Sequence, residues 1–150
     1  MFSISSELLE AIFISAVAIT GYHGSFDSRP VIKIVSPEYL TCKMGSSGFL
    51  GVFDHKQKEY IFLAKDAFNT ERFSKVEISS ILLHEMVHWL QFANGAKAAT
   101  NCAEWTALES EAYGAQYKFL QKSRTRMRFT MPICVSATQV NVEERQCKED

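Results

Sequence analysis

The sequence predicts a single α+β domain, in which helices pack around a small, mainly antiparallel sheet. Three short runs of β-branched and aromatic residues lie between longer segments whose apolar residues recur every three or four positions. A length of 150 residues is typical of one domain, and an apolar content of 47% is enough for a hydrophobic core. We therefore assign residues 1–150 to one domain.

The first helix is predicted over residues 1–21, where a serine can cap its start and Gly21 or Gly24 can end it. Its apolar run is far too short to span a membrane. Glu7 and Glu10 precede that run and no basic segment comes before it, so there is no clear signal peptide. Both the cytoplasm and export as an effector stay open as locations.

Three strands are predicted over residues 31–35, 49–53 and 59–63. The polar segment 54–58 is short enough to connect the last two strands as a hairpin, which makes that pair antiparallel. Residues 44–48, which are rich in glycine and serine, are predicted to form a flexible loop at the start of this hairpin.

The most apolar helix carries two histidines four residues apart, in the stretch His84-Glu85-Met86-Val87-His88, which reads H-E-x-x-H. Residues i and i+4 lie on one helix face, so both imidazoles can point at one metal ion. Glu85 lies about 100° further round, poorly placed to bind the ion but within reach of a water molecule on it. Zinc hydrolases use this spacing for two ligands and a general base.

A pentapeptide this short also arises by chance, and the simpler interpretation is a helix with two polar-face histidines. However, two of the four histidines in the chain lie in its most apolar segment, where unpaired imidazoles are costly to bury. His23 and His55 lie in polar segments, and we interpret them as surface residues. A capping box formed by Ser74 and Glu77 begins the helix, and Asn94-Gly95 ends it.

A third metal ligand is expected on the next helix, predicted over residues 101–121. Glu109 lies beside the apolar face of this helix, where a carboxylate is unusual unless it is paired or bound to metal. Glu111 and Glu104 are the competing carboxylates. Glu111 points nearly opposite to Glu109 and is expected to contact solvent or to support a ligand. Glu104 is better explained by a capping box with Asn101 at the helix start.

The H-E-x-x-H motif, followed on a second helix by Glu109-Ser110-Glu111-Ala112, resembles the gluzincin metallopeptidases. Within that group the chain is similar to minimal, single-domain zincin-like bacterial proteins, with Gln91 and Cys102 also at matching positions. The resemblance covers roughly residues 5 to 122 and implies that His84, His88 and Glu109 bind zinc. Tyr113 stands where an aspartate often follows the alanine, which leaves open what orients the histidines.

The resemblance implies zinc-dependent hydrolysis of peptide bonds, with Glu85 as general base. Tyr113 lies one helical turn past Glu109, so its hydroxyl is a candidate to stabilise the negative charge that develops on the substrate carbonyl oxygen. The alternative is that Tyr113 supports a ligand or belongs to the core. The resemblance also implies that the strand before the active-site helix, 49–53 or 60–63, presents an open edge to an extended protein or peptide substrate.

Two other functions are compatible with the sequence. One is a toxin- or effector-like protease with a narrow target, restrained by a separate inhibitory or immunity partner because so small a domain has little room for a propeptide. The other is a catalytically inactive protein that binds metal and a partner. A net charge of −1 without a basic patch gives no indication of nucleic-acid binding.

The four cysteines form no C-x-x-C pair, so a cysteine-only zinc site is not expected. A disulfide between Cys102 and Cys134 would attach the C-terminal segment to the second helix, although all four can equally be free thiols. The tail, 124–150, has the least defined pattern. Residues 128–131 are compatible with a strand, and the charged residues 143–150 with disorder.

Overall fold

The computed structural model describes residues 3–129, 131–134 and 146–149. Helices and a small sheet form this part of the chain, which confirms the α+β class. The helices are α1 (Ser6–Thr20), α2 (Pro37–Met44), α3 (Lys75–Ala93) and α4 (Cys102–Lys122), and the strands are β1 (Val31–Val35), β2 (Gly51–Phe53) and β3 (Tyr60–Ala64). In these described residues, no helix has the length and apolar character needed to cross a membrane.

The sheet is mixed, so the prediction of a mainly antiparallel sheet is wrong. The strand order is β1-β3-β2, with β3 in the centre. β3 pairs with β2 in antiparallel fashion, as the hairpin loop predicts, but it pairs with β1 in parallel along five residue pairs. The reason is that α2 and β2 lie between β1 and β3 and return the chain to the end of the sheet where β1 began. Of the two strands expected to offer an open edge, β2 lies at the edge of the sheet formed by the described residues and β3 does not.

Helix α2 is an element that the sequence analysis did not predict. Ser36 and Pro37 end β1 as expected, but they also begin this helix: Ser36 Oγ accepts a hydrogen bond from the Tyr39 N–H at 3.1 Å, and proline at the first helical position costs no hydrogen bond. Gly45, with φ of 77°, ends it. Only two residues of α2, Tyr39 and Leu40, are buried, so its sequence shows little of the apolar periodicity by which the longer helices are predicted.

The predicted starts of the longer helices are confirmed, with one correction. Ser74 and Glu77 form the expected reciprocal capping box at α3. At α4, Asn101 Oδ1 accepts a hydrogen bond from the Glu104 N–H at 2.9 Å. The Glu104 carboxylate, however, accepts from the Thr100 N–H at 2.8 Å and does not complete a box with Asn101. The Glu104 carboxylate therefore binds the main chain just before the start of α4.

Helix α3 runs through the centre of the molecule. It packs against α1 and α4 on one side and against β2 and β3 on the other. Leu83, Met86, Val87 and Leu90 have no exposed surface, and each contributes roughly 1.5–3 kcal/mol of burial free energy. A second apolar cluster, around Tyr39 and Phe62, fills the space between the opposite sheet face and α2. The central position of α3 places the H-E-x-x-H residues at the boundary between core and cleft.

Two disulfides attach the C-terminal segment to the body of the domain. The predicted bond between Cys102 and Cys134 is confirmed, and a second bond joins Cys42 of α2 to Cys147. Lys33 Nζ also lies 3.2 Å from Glu149 Oε1, beside the second bond. Residues 128, 129 and 131 are not in a strand, contrary to expectation, and 146–149 are held in place by these contacts. The strand expected at 128–131 also includes residue 130, and the disorder expected at 143–150 also includes residues 143–145 and 150. These residues lie outside the described ranges.

Loss of the Cys42–Cys147 disulfide is expected to destabilise the domain more than loss of the Cys102–Cys134 disulfide. The two bonds close loops of 105 and 32 residues. A chain-entropy model assigns them about 4.7 and about 3.7 kcal/mol, because the longer loop restricts the unfolded chain more. Urea unfolding of the two paired cysteine-to-serine variants measures this difference. A larger loss from the shorter loop would show that contacts in the folded state, and not chain entropy, dominate.

Candidate metal centre

Helix α3 presents two imidazole rings to one cleft. The Nε2 atoms of His84 and His88 lie 3.2 Å apart, as expected for positions i and i+4 on one helix face. The side chains are 8% and 12% exposed, so their rings are largely removed from water. Bare imidazoles at this depth need polar partners, because burying unpaired polar groups is costly.

Helix α4 supplies the carboxylate that completes the cluster. Glu109 Oε2 lies 3.2 Å from His84 Nε2, and Glu109 Oε1 lies 3.1 Å from His88 Nε2. The three residues form a group able to hold a metal ion, with one ligand atom from each and all of these atoms within 4.8 Å of one another. Glu104 and Glu111 are not part of this group. The short linker between α3 and α4 makes the two helices close neighbours, which brings Glu109 to the histidines.

The electrostatics of the cluster favour a positive charge between its members. Burial opposes a charged His88, but the hydrogen bond and the negative charge of Glu109 outweigh this effect and raise the His88 pKa to about 9. Burial also opposes ionisation of Glu109, yet the hydrogen bonds from His84 and His88 hold its pKa well below the usual value. The carboxylate thus remains ionised, and a proton on His88 or a metal cation can neutralise it.

Glu85 lies beside the metal-binding group and is not a member of it. Its side chain is buried at 7% exposure, and burial raises its pKa. The Phe53 N–H of β2 donates a hydrogen bond of 2.8 Å to Glu85 Oε2, which holds the carboxylate against the edge of the sheet. A Cβ atom at Gly51 would lie 3.0 Å from Glu85 Cγ, so a glycine lets β2 approach this closely.

The outer nitrogens of both histidines contact glutamine side chains. His88 Nδ1 lies 2.9 Å from Gln91 Oε1, and His84 Nδ1 lies 3.1 Å from Gln116 Oε1. Both glutamines are buried. The sequence analysis left the orientation of the histidines open and gave these glutamines no role. A signal was present, because Gln91 follows His88 by three residues and Gln116 follows Glu109 by seven, spacings that share a helix face.

Glu111 supports the cluster from outside. Its Oε1 accepts hydrogen bonds from Gln91 Nε2 at 2.9 Å and from the Tyr22 hydroxyl at 2.6 Å. This bond to the carboxylate raises the pKa of Tyr22 to about 12. Glu111 was expected either to contact solvent or to support a ligand. It does both, because its side chain is exposed and also accepts a hydrogen bond from Gln91.

Tyr113 lies next to the cluster. Its ring centroid is 4.4 Å from that of His84 in an edge-on arrangement, and its other neighbour is Phe129, stacked at 5.2 Å. Burial, together with the negative charges of Glu109 and Glu85, raises the Tyr113 pKa to about 12. The hydroxyl therefore keeps its proton at neutral pH and is able to donate a hydrogen bond within the cleft.

A cavity of about 800 Å³ contains the cluster, Glu85 and Tyr113. Apolar side chains form part of its wall, including Phe92, Trp105 and Leu108. His55 also lines it and stacks on Phe92 at 5.6 Å, and burial lowers its pKa. The interpretation of His55 as a surface residue is therefore wrong in part: it is no member of the metal-binding group, but it faces the same cleft. His23 is exposed, as expected.

Substitution of the two neighbouring glutamates on α4 is expected to separate their roles. Glu109→Ala removes one of three ligands and should lower metal affinity sharply, whereas Glu111→Ala should cause a smaller loss because it acts only through Gln91. Titration of the metal-free variants against a chromophoric chelator measures both affinities. The reverse order would mean that α4 presents its other carboxylate to the metal.

Comparison with known proteins identifies no relative, since no family model, curated protein or solved structure matches this chain.

Proposed function

We propose that this protein is a zinc-dependent metallopeptidase of the zincin-like, gluzincin type. The observation that carries the proposal is the arrangement of His84, His88 and Glu109 as one group, with the buried carboxylate of Glu85 beside it and outside it. Three ligands and a separate base are the parts that metal-assisted hydrolysis requires.

The donor set and its spacing fit zinc. Two imidazole nitrogens and one carboxylate oxygen form a typical ligand set of catalytic zinc sites, which leave a fourth position open. Bonds of about 2.0–2.1 Å in a tetrahedron separate neighbouring ligand atoms by roughly 3.3 Å. The two Nε2 atoms lie 3.2 Å apart, close to that value, and each also lies 3.1 to 3.2 Å from a different oxygen of Glu109.

Two residues of the cleft, Glu85 and Tyr113, have catalytic roles in this proposal. Zinc, when bound, supplies Lewis acidity that acidifies water and polarises a carbonyl group. Glu85 takes a proton from the attacking water and passes it to the amine that leaves when the peptide C–N bond breaks. The Tyr113 hydroxyl, which keeps its proton at neutral pH, donates a hydrogen bond to the oxygen on which negative charge develops.

The open edge of β2 supports an extended peptide as substrate. Leu50 O accepts the Ala64 N–H at 2.9 Å, so the alternation of an antiparallel pair directs the main-chain groups of Gly51 and Phe53 away from β3. This edge borders the cavity that holds Glu85 and His84. Because the Phe53 N–H is donated to Glu85, a substrate strand can pair with this edge only through its remaining main-chain groups, at Gly51 and the Phe53 carbonyl, and carry a peptide bond past the cluster.

A secreted or otherwise exported peptidase is the form that the disulfides favour. Two disulfides in a domain of 150 residues are characteristic of an oxidising compartment. This agrees with a toxin- or effector-like protease whose target is narrow and whose restraint comes from a separate partner.

The deciding measurement is digestion of a complex peptide mixture by zinc-loaded protein, with mass spectrometry of the products. New peptide ends that a chelator prevents would support the proposal. An inactive metal- and partner-binding protein is the alternative, and it predicts no new ends under any metal load.

A further inference from the structure

We infer, independently of any peptidase activity, that Gln91 and Gln116 are positioning residues that determine which ring nitrogen of His88 and His84 is free to bind a metal. We further infer that Glu111 and Ser80, outside the metal-binding group, set the orientation of these two amides. A neutral imidazole has one nitrogen with a proton and one with a free lone pair, and only the second binds a metal.

The neighbours of Gln91 leave its amide one orientation. Gln91 Nε2 lies 3.0 Å from the Leu108 carbonyl oxygen and 2.9 Å from Glu111 Oε1. Both of these oxygens only accept hydrogen bonds, so the NH₂ group has to face them. The amide oxygen therefore faces His88 Nδ1 at 2.9 Å and makes this nitrogen the donor. The lone pair of His88 is then on Nε2, the atom that faces Glu109.

The orientation of Gln116 follows from a different partner. Gln116 Nε2 lies 3.1 Å from Ser80 Oγ. The Ser80 hydroxyl has one proton, which is directed at the Glu77 carbonyl oxygen at 2.7 Å or, more weakly, at Met127 Sδ at 3.7 Å. In both cases Ser80 Oγ is the acceptor for Gln116. The amide oxygen of Gln116 is thus left for His84 Nδ1 at 3.1 Å.

When a metal replaces the protons between the Nε2 atoms and Glu109, two independent chains of hydrogen bonds therefore leave both Nε2 lone pairs facing the same point. The chain of hydrogen bonds that ends at His88 begins at the surface, because the Tyr22 hydroxyl donates a hydrogen bond of 2.6 Å to Glu111. A neutral amide also orients each ring without adding a further negative charge beside Glu85 and Glu109, where an unpaired buried charge is costly. Loss of such a supporting hydrogen bond typically weakens metal binding by about 10–100-fold.

The first test is the protonation pattern of the rings themselves. Long-range ¹H–¹⁵N correlation spectra of zinc-loaded protein with ¹⁵N-labelled histidine distinguish a protonated nitrogen from a metal-bound one. We expect a proton on Nδ1 and zinc on Nε2 for both His84 and His88. Coordination of zinc through Nδ1 of either ring would overturn the inference, and this result needs no variant to fold.

The second test measures zinc affinity by competition with a chromophoric chelator. Gln91→Leu and Gln116→Leu keep the approximate side-chain size and remove the acceptor, so each should weaken zinc binding about 10–100-fold. Gln121→Leu, an exposed substitution on α4, is the matched control and should leave the affinity unchanged. Unchanged affinity in both test variants would overturn the inference.

The third test exchanges donor and acceptor. Gln116→Glu keeps an oxygen toward His84 but turns a carboxylate oxygen toward Ser80 Oγ, whose proton is directed at the Glu77 carbonyl oxygen, so zinc affinity should fall below that of the wild type. Gln91→Glu should bind poorly because two carboxylates then face each other at Glu111. Adding Glu111→Gln restores a donor and should recover at least tenfold in affinity. A double variant no better than Gln91→Glu alone would refute the role given to Glu111.

Discussion

Zinc-loaded protein carrying Glu85→Gln is expected to retain its metal and its fold while hydrolytic activity falls by about 10²–10⁴-fold, the usual contribution of a general base. Glutamine has the size of glutamate, and its side-chain oxygen can still accept the hydrogen bond from the Phe53 N–H. What it lacks is the ability to take a proton from water. The substitution therefore removes the chemical step and leaves the packing around β2 in place.

The measurement is the digestion of a peptide mixture followed by mass spectrometry, with growth inhibition on expression as a readout that needs no known substrate. Glu10→Gln, an exposed substitution on α1, is the matched control. Peptide cleavage or toxicity that persists undiminished in the Glu85→Gln protein, at full zinc content, would contradict the peptidase proposal. It would favour the metal- and partner-binding alternative.

Removal of either histidine of the cluster is expected to abolish stoichiometric metal binding. The wild-type protein should contain close to one zinc per chain, and His84→Ala or His88→Ala should contain little, because the two remaining ligands hold zinc poorly. Since a ligand that binds only the folded state stabilises it, the thermal shift that zinc produces in the wild type should also disappear.

The chain contains its own controls for this experiment. Of its four histidines, His23 is exposed and His55 faces the cleft without belonging to the metal-binding group. His23→Ala and His55→Ala should therefore both retain one zinc by elemental analysis. Full zinc occupancy in the His84→Ala and His88→Ala proteins would refute the site.

The sequence by itself was sufficient for the main features of the two long helices α3 and α4, which depend on neighbours a few residues apart. The helical spacing placed His84 and His88 on one face, the caps at Ser74 and Asn101 located two helix starts, and helix phase favoured Glu109 over Glu111. All of these depend on hydrogen bonds and side-chain directions within one or two helical turns, which the order of residues specifies directly.

The tertiary structure decided what depends on residues far apart in the chain. The parallel pairing of β1 with β3 requires the path through α2, and the Cys42–Cys147 disulfide spans 105 residues. The amide of Gln116 meets His84 across 32 residues, and Tyr22 meets Glu111 across 89. Such contacts form only when packing against α3 brings separate elements together, and no local pattern records which polar groups will then face each other.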